Sequence, residues 1–317
     1  MRIVTADDIA RTMTYPALVE ALATAFRGDT AAPVRHHHAI PQPGADATLL
    51  LMPAWTGSGT RFVGCKVVTV FPDNAKVGKP SVHGSYLLMS GETGEPLAIM
   101  DGRELTAWRT AAASALAAMH LAREDATDLV MVGAGALALH LVRAHASIRP
   151  LARVSLWNRT NARAEEIAIH LRRDGLDVRI ADDREAAVRS ADIVCCATLS
   201  AEPLVRGAWL KPGTHVDLVG GYTPQMREAD DEAVRRARVF VDTRAGALAE
   251  AGDVVDPIRR GVIGEADIQG DLCDLCRGAA SGRRSASEIT LFKSVGTAVE
   301  DLAAAMLIWE RTSKLAI

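Results

Sequence analysis

Gly133 and Gly135, set between the apolar run 129–132 and a helix-like stretch that opens at Ala138, form the part of the chain best suited to holding a charged ligand. Backbone amides at a helix N-terminus carry partial positive charge, and glycines let the main chain approach a pyrophosphate with no side chain between. Gly133, Gly135, Ala136 and Leu137 are expected to supply that cradle, with Ala138 in the third small-residue position. A second apolar strand, 153–157, ends at Asn158, about twenty residues past Ala138, where a ribose-reading side chain belongs. Sites that prefer NAD place Asp or Glu there, whereas this chain has Asn158, Arg159 and Thr160. A carboxylate would repel a 2′-phosphate; a guanidinium can pair with it bidentately and the neighbouring amide and hydroxyl can donate to it. The expectation is NADPH, with NADH left open through Asn158 and the ribose hydroxyls.

The elements that would position these groups follow from the pattern of apolar residues. Runs of Val, Ile and Leu at 129–132, 154–157, 178–180, 193–198, 216–220 and 239–242 alternate with helical stretches, which predicts a parallel sheet covered on both faces. Thr198 closes the fourth of these strands, on the edge where open parallel sheets bind ligands. The first hundred residues differ: helices near 6–13 and 16–27, strands around 48–52, 62–70 and 81–89, and a turn at 91–94, spaced as in an antiparallel or mixed sheet. An Ala-rich helix is expected over 106–123 and an amphipathic one over 295–310. The fold class expected is α/β, a Rossmann-type doubly wound sheet (residues 115–291) inserted in a mixed α+β domain made of 1–114 and 292–317.

With 317 residues, 49% hydrophobic and 24% charged, and a formal net charge of −3, the chain has the composition of a globular protein. That charge gives no reason to expect nucleic acid or an anionic membrane as partner. Acids stand near the N-terminus where a signal peptide has its apolar core, so a cytoplasmic location is expected. No metal is expected: adjacent residues among His36, His37 and His38 alternate faces on a strand, and Cys273 and Cys276 lack a second ligand pair.

Several long segments in order, GCKVVTVFPDN, TGEPLAIMDGRELTAWRTAAASALAA, ATLSAEPLV and SASEITLFKSVGTAVEDLAAA, resemble the ornithine cyclodeaminase and mu-crystallin family. The resemblance implies that the domain built from both chain ends binds substrate and dimerises, that a homodimer is the basic unit, and that hydride chemistry occurs at the α-carbon of an amino acid or its imine. It implies that Lys66 and Arg109 hold the substrate carboxylate, with Arg35 a third contact and Ser81 helping to order it. A guanidinium fork and an ammonium suit that task. Ser294, in the segment FKS, would approach the cofactor. His83, two residues past Ser81, is a candidate proton donor to the imine nitrogen, with Tyr222 and a bound water as alternatives.

One departure narrows the reaction. Ornithine cyclodeaminases carry an Asp just after the strand-end glycines, to handle the distal amine; here Gly220 and Gly221 are followed by Tyr222, and no carboxylate appears until Glu228. This suits reductases that take a preformed cyclic imino acid, delta-1-pyrroline-2-carboxylate or its six-membered homologue, and deliver one hydride. Ornithine cyclodeamination, an alanine-type dehydrogenase reaction and NADPH-dependent small-molecule binding without catalysis are the alternatives.

Overall fold

The computed structural model describes residues 1–57, 59 and 61–314. By contact the chain divides into two compact units, Met1–Arg109 with Thr297–Ile317, and Thr110–Gly296. The first boundary falls inside one helix, α3, five residues before the expected position at 114. The second falls after the last strand of the nucleotide-type sheet, so the expected boundary at 292 is corrected: it would cut that strand in two.

The first unit holds β1 (Arg2–Val4), α1 (Ala6–Thr12), α2 (Tyr15–Arg27), β2 (His36–Ile40), β3 (Ala47–Trp55), β4 (Phe62–Val70), β5 (Val82–Ser90), β6 (Pro96–Asp101), the start of α3 (Gly102–Leu121) and, from the far end of the chain, α11 (Ala298–Lys314). Its six strands run in the order β1-β6-β5-β4-β3-β2, antiparallel except for the parallel pair β1 and β6. The expected mixed sheet is therefore present, with β1, β2 and β6 as strands that the apolar pattern did not single out. α11 packs on β3, β4 and β5 and α2 packs against α11, burying Leu18, Leu22 and Phe26 of α2 and Leu302, Ala305 and Ile308 of α11. The Thr5 hydroxyl and the Asp8 carboxylate form a capping box that starts α1.

The second unit holds β7 (Asp128–Val132), α4 (Ala138–Ala146), β8 (Arg153–Trp157), α5 (Asn161–Arg173), β9 (Asp177–Ile180), α6 (Arg184–Ser190), β10 (Ile193–Cys196), β11 (His215–Leu218), α7 (Asp231–Arg236), β12 (Ala237–Val241), α8 (Arg244–Glu250), α9 (Gly252–Arg259), β13 (Ile268–Asp271), α10 (Leu272–Arg277) and β14 (Ile289–Lys293). All its strand pairs are parallel, in the order β13-β12-β14-β11-β10-β7-β8-β9. The sheet has eight strands rather than the six read from the pattern, because β13 and β14 are short runs in a stretch of less regular sequence. Alternation divides its residues between two helical layers. Val130, Val194, Cys196, Val216 and Leu218 pack with Ala187, Val188 and Ala233 of α6 and α7. Cys195 and Asp217 point the other way, where Ser114 of α3 and His145 of α4 bond to Asp217. The doubly wound arrangement brings the carboxyl ends of β7, β10, β11 and β14 side by side.

Candidate active site

Lys66 stands in the middle of β4. Register links Val4, Met100, Tyr86, Lys66 and Met52 across five strands, so these side chains share the inner face. Arg109 reaches the same place from α3, and the first turn of α11 contributes Glu300 and Asp301. Lys66 Nζ lies 2.9 Å from the Asp301 carboxylate; Arg109 donates from Nη1 to Glu300 at 2.5 Å, and its Nε lies 2.9 Å from Asp301. All four are buried. Arg35, half-buried, adds a third cation whose field acts on both Lys66 and Asp301. Lys66, Arg109 and Arg35 thus bring cationic groups of the kind that suit a substrate carboxylate to one place. Burial, reinforced by Arg109, pushes the Lys66 ammonium down to about 8, against the pull of Asp301. Burial would raise the Asp301 carboxyl, but Lys66 and Arg109 outweigh it and hold it below its ordinary value. The Tyr86 hydroxyl is buried without a hydrogen-bond partner among the described residues, and burial pushes its pKa well up.

Two sequence expectations are not met in this cluster. His83 pairs with Thr69 and Lys66 with Tyr86, positions of opposite parity, so His83 lies exposed on the outer face of the sheet, away from Lys66 and Arg109. Ser81 precedes β5 and its hydroxyl bonds weakly to the Pro72 carbonyl at 3.5 Å. Glu300 and Asp301 are the residues that sequence reasoning missed. The signal was present in GTAVEDLAAA, where two acids interrupt an otherwise apolar helix start.

The second unit assembles the expected nucleotide residues at the carboxyl edge of its sheet. Gly133 has φ +106°, and a Cβ there would lie 2.7 Å from the Ala197 carbonyl oxygen, so the turn requires glycine. A Cβ on Gly135 would meet nothing closer than 4.0 Å, leaving open room above the turn. The amides of Gly135, Ala136 and Leu137 precede α4 and donate to none of the described residues. This cradle fits a dinucleotide pyrophosphate. Asn158 accepts from the Ala134 amide at 3.1 Å and donates to the Thr160 carbonyl at 2.8 Å, tying the end of β8 to the glycine turn. Arg159 is exposed beside it. Thr198 packs against Gly133, and Ser294 follows β14, its amide bonded to Leu218. Tyr222 is 40% exposed in this unit.

Beneath that edge lies a charged network not anticipated from sequence. The Glu228 carboxylate is wholly buried and accepts from the Thr198 amide (2.7 Å) and hydroxyl (2.9 Å) on one oxygen, and from the Gly220 (2.7 Å) and Gly221 (3.4 Å) amides on the other. Lys293, also wholly buried, stands 3.7 Å from Glu228 and 3.4 Å from Asp253. Asp253 in turn accepts from the amides of Glu228 and Ala229. A second buried group, His145, Cys195 and Asp217, has its potential ligand atoms within 4.8 Å of one another, and these atoms already bond internally through Asp217.

A glycine turn at the head of a doubly wound sheet in one unit, and a buried cluster of Lys66, Arg109, Glu300 and Asp301 in the other, define a class: two-unit α/β proteins equipped for a dinucleotide and an acidic small molecule. The chain belongs to the ornithine cyclodeaminase/mu-crystallin family, whose model matches residues 2–315. Among curated proteins it is 45% identical to Protein SAR DEFICIENT 4 of Arabidopsis thaliana, over 88% of this chain and 86% of that one. It is 40% identical to the delta(1)-pyrroline-2-carboxylate reductase of Paracoccus denitrificans, over 88% and 91% of the two chains. The solved structure of Thermococcus litoralis delta(1)-pyrroline-2-carboxylate reductase, in complex with NADH and L-proline, superposes with a TM-score of 0.93 at 33% identity, covering 100% of this chain and 99% of that one. No helix among the described residues is long and apolar enough to cross a membrane.

Proposed function

We propose that the protein is a nicotinamide-dependent ketimine reductase that converts delta-1-pyrroline-2-carboxylate to L-proline and delta-1-piperideine-2-carboxylate to L-pipecolate. The observation that carries this choice over cyclodeamination is the condition of Glu228. It is the first carboxylate after Gly220 and Gly221, and both its oxygens are occupied by backbone and hydroxyl donors, so it is not placed to manage a substrate amine. The Paracoccus and Thermococcus relatives named as reductases support the same reading.

A reduced nicotinamide, once bound, supplies the hydride for the imine carbon. The turn at Gly133, Gly135, Ala136 and Leu137 would hold its pyrophosphate, Asn158 and Thr160 its ribose, and Thr198 and Ser294 the strand ends near the nicotinamide. Arg159 favours NADPH by pairing with a 2′-phosphate, while the Thermococcus structure holds NADH, so NADH is retained as an accepted cofactor. Lys66, Arg109 and Arg35 would dock the carboxylate, fixing the α-carbon, and the buried setting of Lys66 and Arg109 excludes water. A protonated cyclic imine is already electrophilic, so positioning supplies most of what is needed.

The protein is proposed to act as a homodimer through the outer face of the six-stranded sheet. Ile3, Ile99, Leu87, Cys65 and Pro53 form a row across five strands on that face, and Ile3 is 74% exposed and Ile99 36%. An apolar row of this kind on a sheet face marks an interaction surface.

The test is the initial rate of NADPH oxidation with delta-1-pyrroline-2-carboxylate, without ammonium and with NADH in parallel. Rapid oxidation is expected, faster at limiting NADPH than at equal NADH. Turnover only with ammonium and an open-chain keto acid would replace this reading with an amino-acid dehydrogenase, and turnover only with ornithine and NAD⁺ would replace it with a cyclodeaminase.

A further inference from the structure

The charged network below the carboxyl edge of the parallel sheet has a second consequence for the reading above, on whose nicotinamide dependence it rests. β10 and β11 are neighbours in register, Cys196 opposite Leu218, and each runs on for two residues into a turn, at Thr198 and at Gly220. The last backbone bond between them runs from the Val219 amide to the Cys196 carbonyl, and beyond it Glu228 joins the two turns: one carboxylate oxygen holds the Thr198 turn by two bonds and the other holds the Gly220 turn by two more. A side chain on Gly220 would collide with Thr198, so the two turns are in direct contact. The Thr198 turn also touches Gly133 of the phosphate cradle. Three of the groups bonding to Glu228 are backbone amides, which can only donate, and the Thr198 hydroxyl and the Cys196 thiol can donate as well, so the arrangement suits the ionised, acceptor-only form of the carboxylate. Lys293, the last residue of β14, is the cation that faces it, while Asp253 of α9 and the buried Cys196 thiol of β10 also face it; the Arg227 Nε stands 3.7 Å from Asp253.

We propose that Glu228 is a positioning residue that joins the two strand-end turns into a rigid seat for the nicotinamide half of the cofactor, and that Lys293 is its buried counter-ion. Burial, opposed by Lys293 and reinforced by Asp253, leaves the Glu228 carboxyl above its ordinary value, so the ionised form depends on the cation. In Glu228→Gln an amide NH2 replaces one oxygen, faces the donors of one turn and releases it. The adenosine end, held by the glycine turn and Asn158, keeps its geometry. In Lys293→Met the carboxylate loses its cation and takes up a proton at higher pH than in the parent protein. The seat is then intact only on the alkaline side.

The experiment compares two probes on the folded proteins, with thermal melts as the control for integrity. NADPH and adenosine 2′,5′-bisphosphate are titrated into the parent protein, Glu228→Gln and Lys293→Met by calorimetry. Glu228→Gln is expected to weaken NADPH by about tenfold or more, as loss of charge-assisted bonds does, while the bisphosphate changes by less than about twofold. Lys293→Met is expected to give an NADPH affinity that rises with pH between 6 and 8 relative to the parent protein. Equal loss of both probes would overturn the inference, showing Glu228 to be a general support of the unit; unchanged NADPH binding in both variants would overturn it too. A variant that fails to fold leaves the other, and Glu228→Asp, to decide: the shorter carboxylate is expected to recover part of the NADPH affinity, and recovery no better than Gln would count against the proposal. Failure of the reductase reading has a separate signature, a parent protein that binds neither NADPH nor NADH.

Discussion

Replacing Asp301 by Asn removes the carboxylate that faces both Lys66 and Arg109 while keeping its shape. In the parent protein Lys66 titrates at about 8, because burial and Arg109 lower it more than Asp301 raises it. Breaking a buried pair costs about 3–5 kcal/mol, which at about 1.4 kcal/mol per pKa unit is roughly 2–3.5 units. Arg109 shares Asp301, so a fall of about 1–2 units is assigned to Lys66. The sign is downward: without Asp301 the ammonium is less favoured, and Lys66 is charged only at lower pH. At pH 7 its protonated fraction drops from about nine-tenths to between about half and a tenth. If the ammonium docks the substrate carboxylate, kcat/KM of the variant relative to the parent falls about 2- to 10-fold at pH 7, falls further at pH 8 and recovers towards pH 5.5. The assay is imine reduction at saturating NADPH across that range, reported as the ratio of variant to parent so that protonation and hydrolysis of the imine cancel. Glu300, Arg35 and Tyr86 also face this cluster, but none is altered. A ratio independent of pH would refute the argument that Asp301 acts through the charge on Lys66.

Arg109→Ala should lower kcat/KM for the imino acid by about 10- to 100-fold, the value of a charge-assisted pair, with NADPH binding near normal by fluorescence titration. Arg159→Ala should raise KM for NADPH roughly tenfold and leave NADH unchanged, so that the ratio of the two cofactors reads the 2′-phosphate contact. Gly133→Ala should destabilise the nucleotide unit by about 1–3 kcal/mol, since the new methyl meets both a φ of +106° and the Ala197 carbonyl; a shift in thermal midpoint measures it. Ile99→Lys on the outer sheet face should move the protein from dimer to monomer in light scattering, and a monomeric parent protein would defeat the proposed interface.

The parallel sheet was legible because fully buried strands are written as unbroken Val, Ile and Leu runs, and the glycine turn because its spacing has one physical purpose. β13 and β14 escaped notice for opposite reasons. Ile268–Asp271 ends in Gly and Asp, and Ile289–Lys293 ends in a lysine that looks solvent-facing until Glu228 and Asp253 are seen around it. The placement of His83 failed on parity: neighbourhood in sequence put it near Ser81, but three positions along β4 separate Thr69, its register partner, from Lys66, which reverses the face. Lys66 and Arg109 could be singled out by type and by family resemblance. Their counter-ions could not, because nothing local in a helix start near residue 300 announces what it will touch.

That long-range pairing bears on how the protein is made. Lys66 and Arg109 emerge early from the ribosome, but Asp301 lies 235 residues after Lys66 and Glu300 lies 191 after Arg109. Between them the whole contiguous nucleotide unit is synthesised and can fold as a unit of its own. Until α11 arrives, the inner face of the six-stranded sheet lacks both its apolar cover and the negative charges that its cations need. A chain cut just before Ala298 should therefore carry a finished nucleotide unit beside an unfinished, protease-sensitive first unit, which closes only once α11 is present.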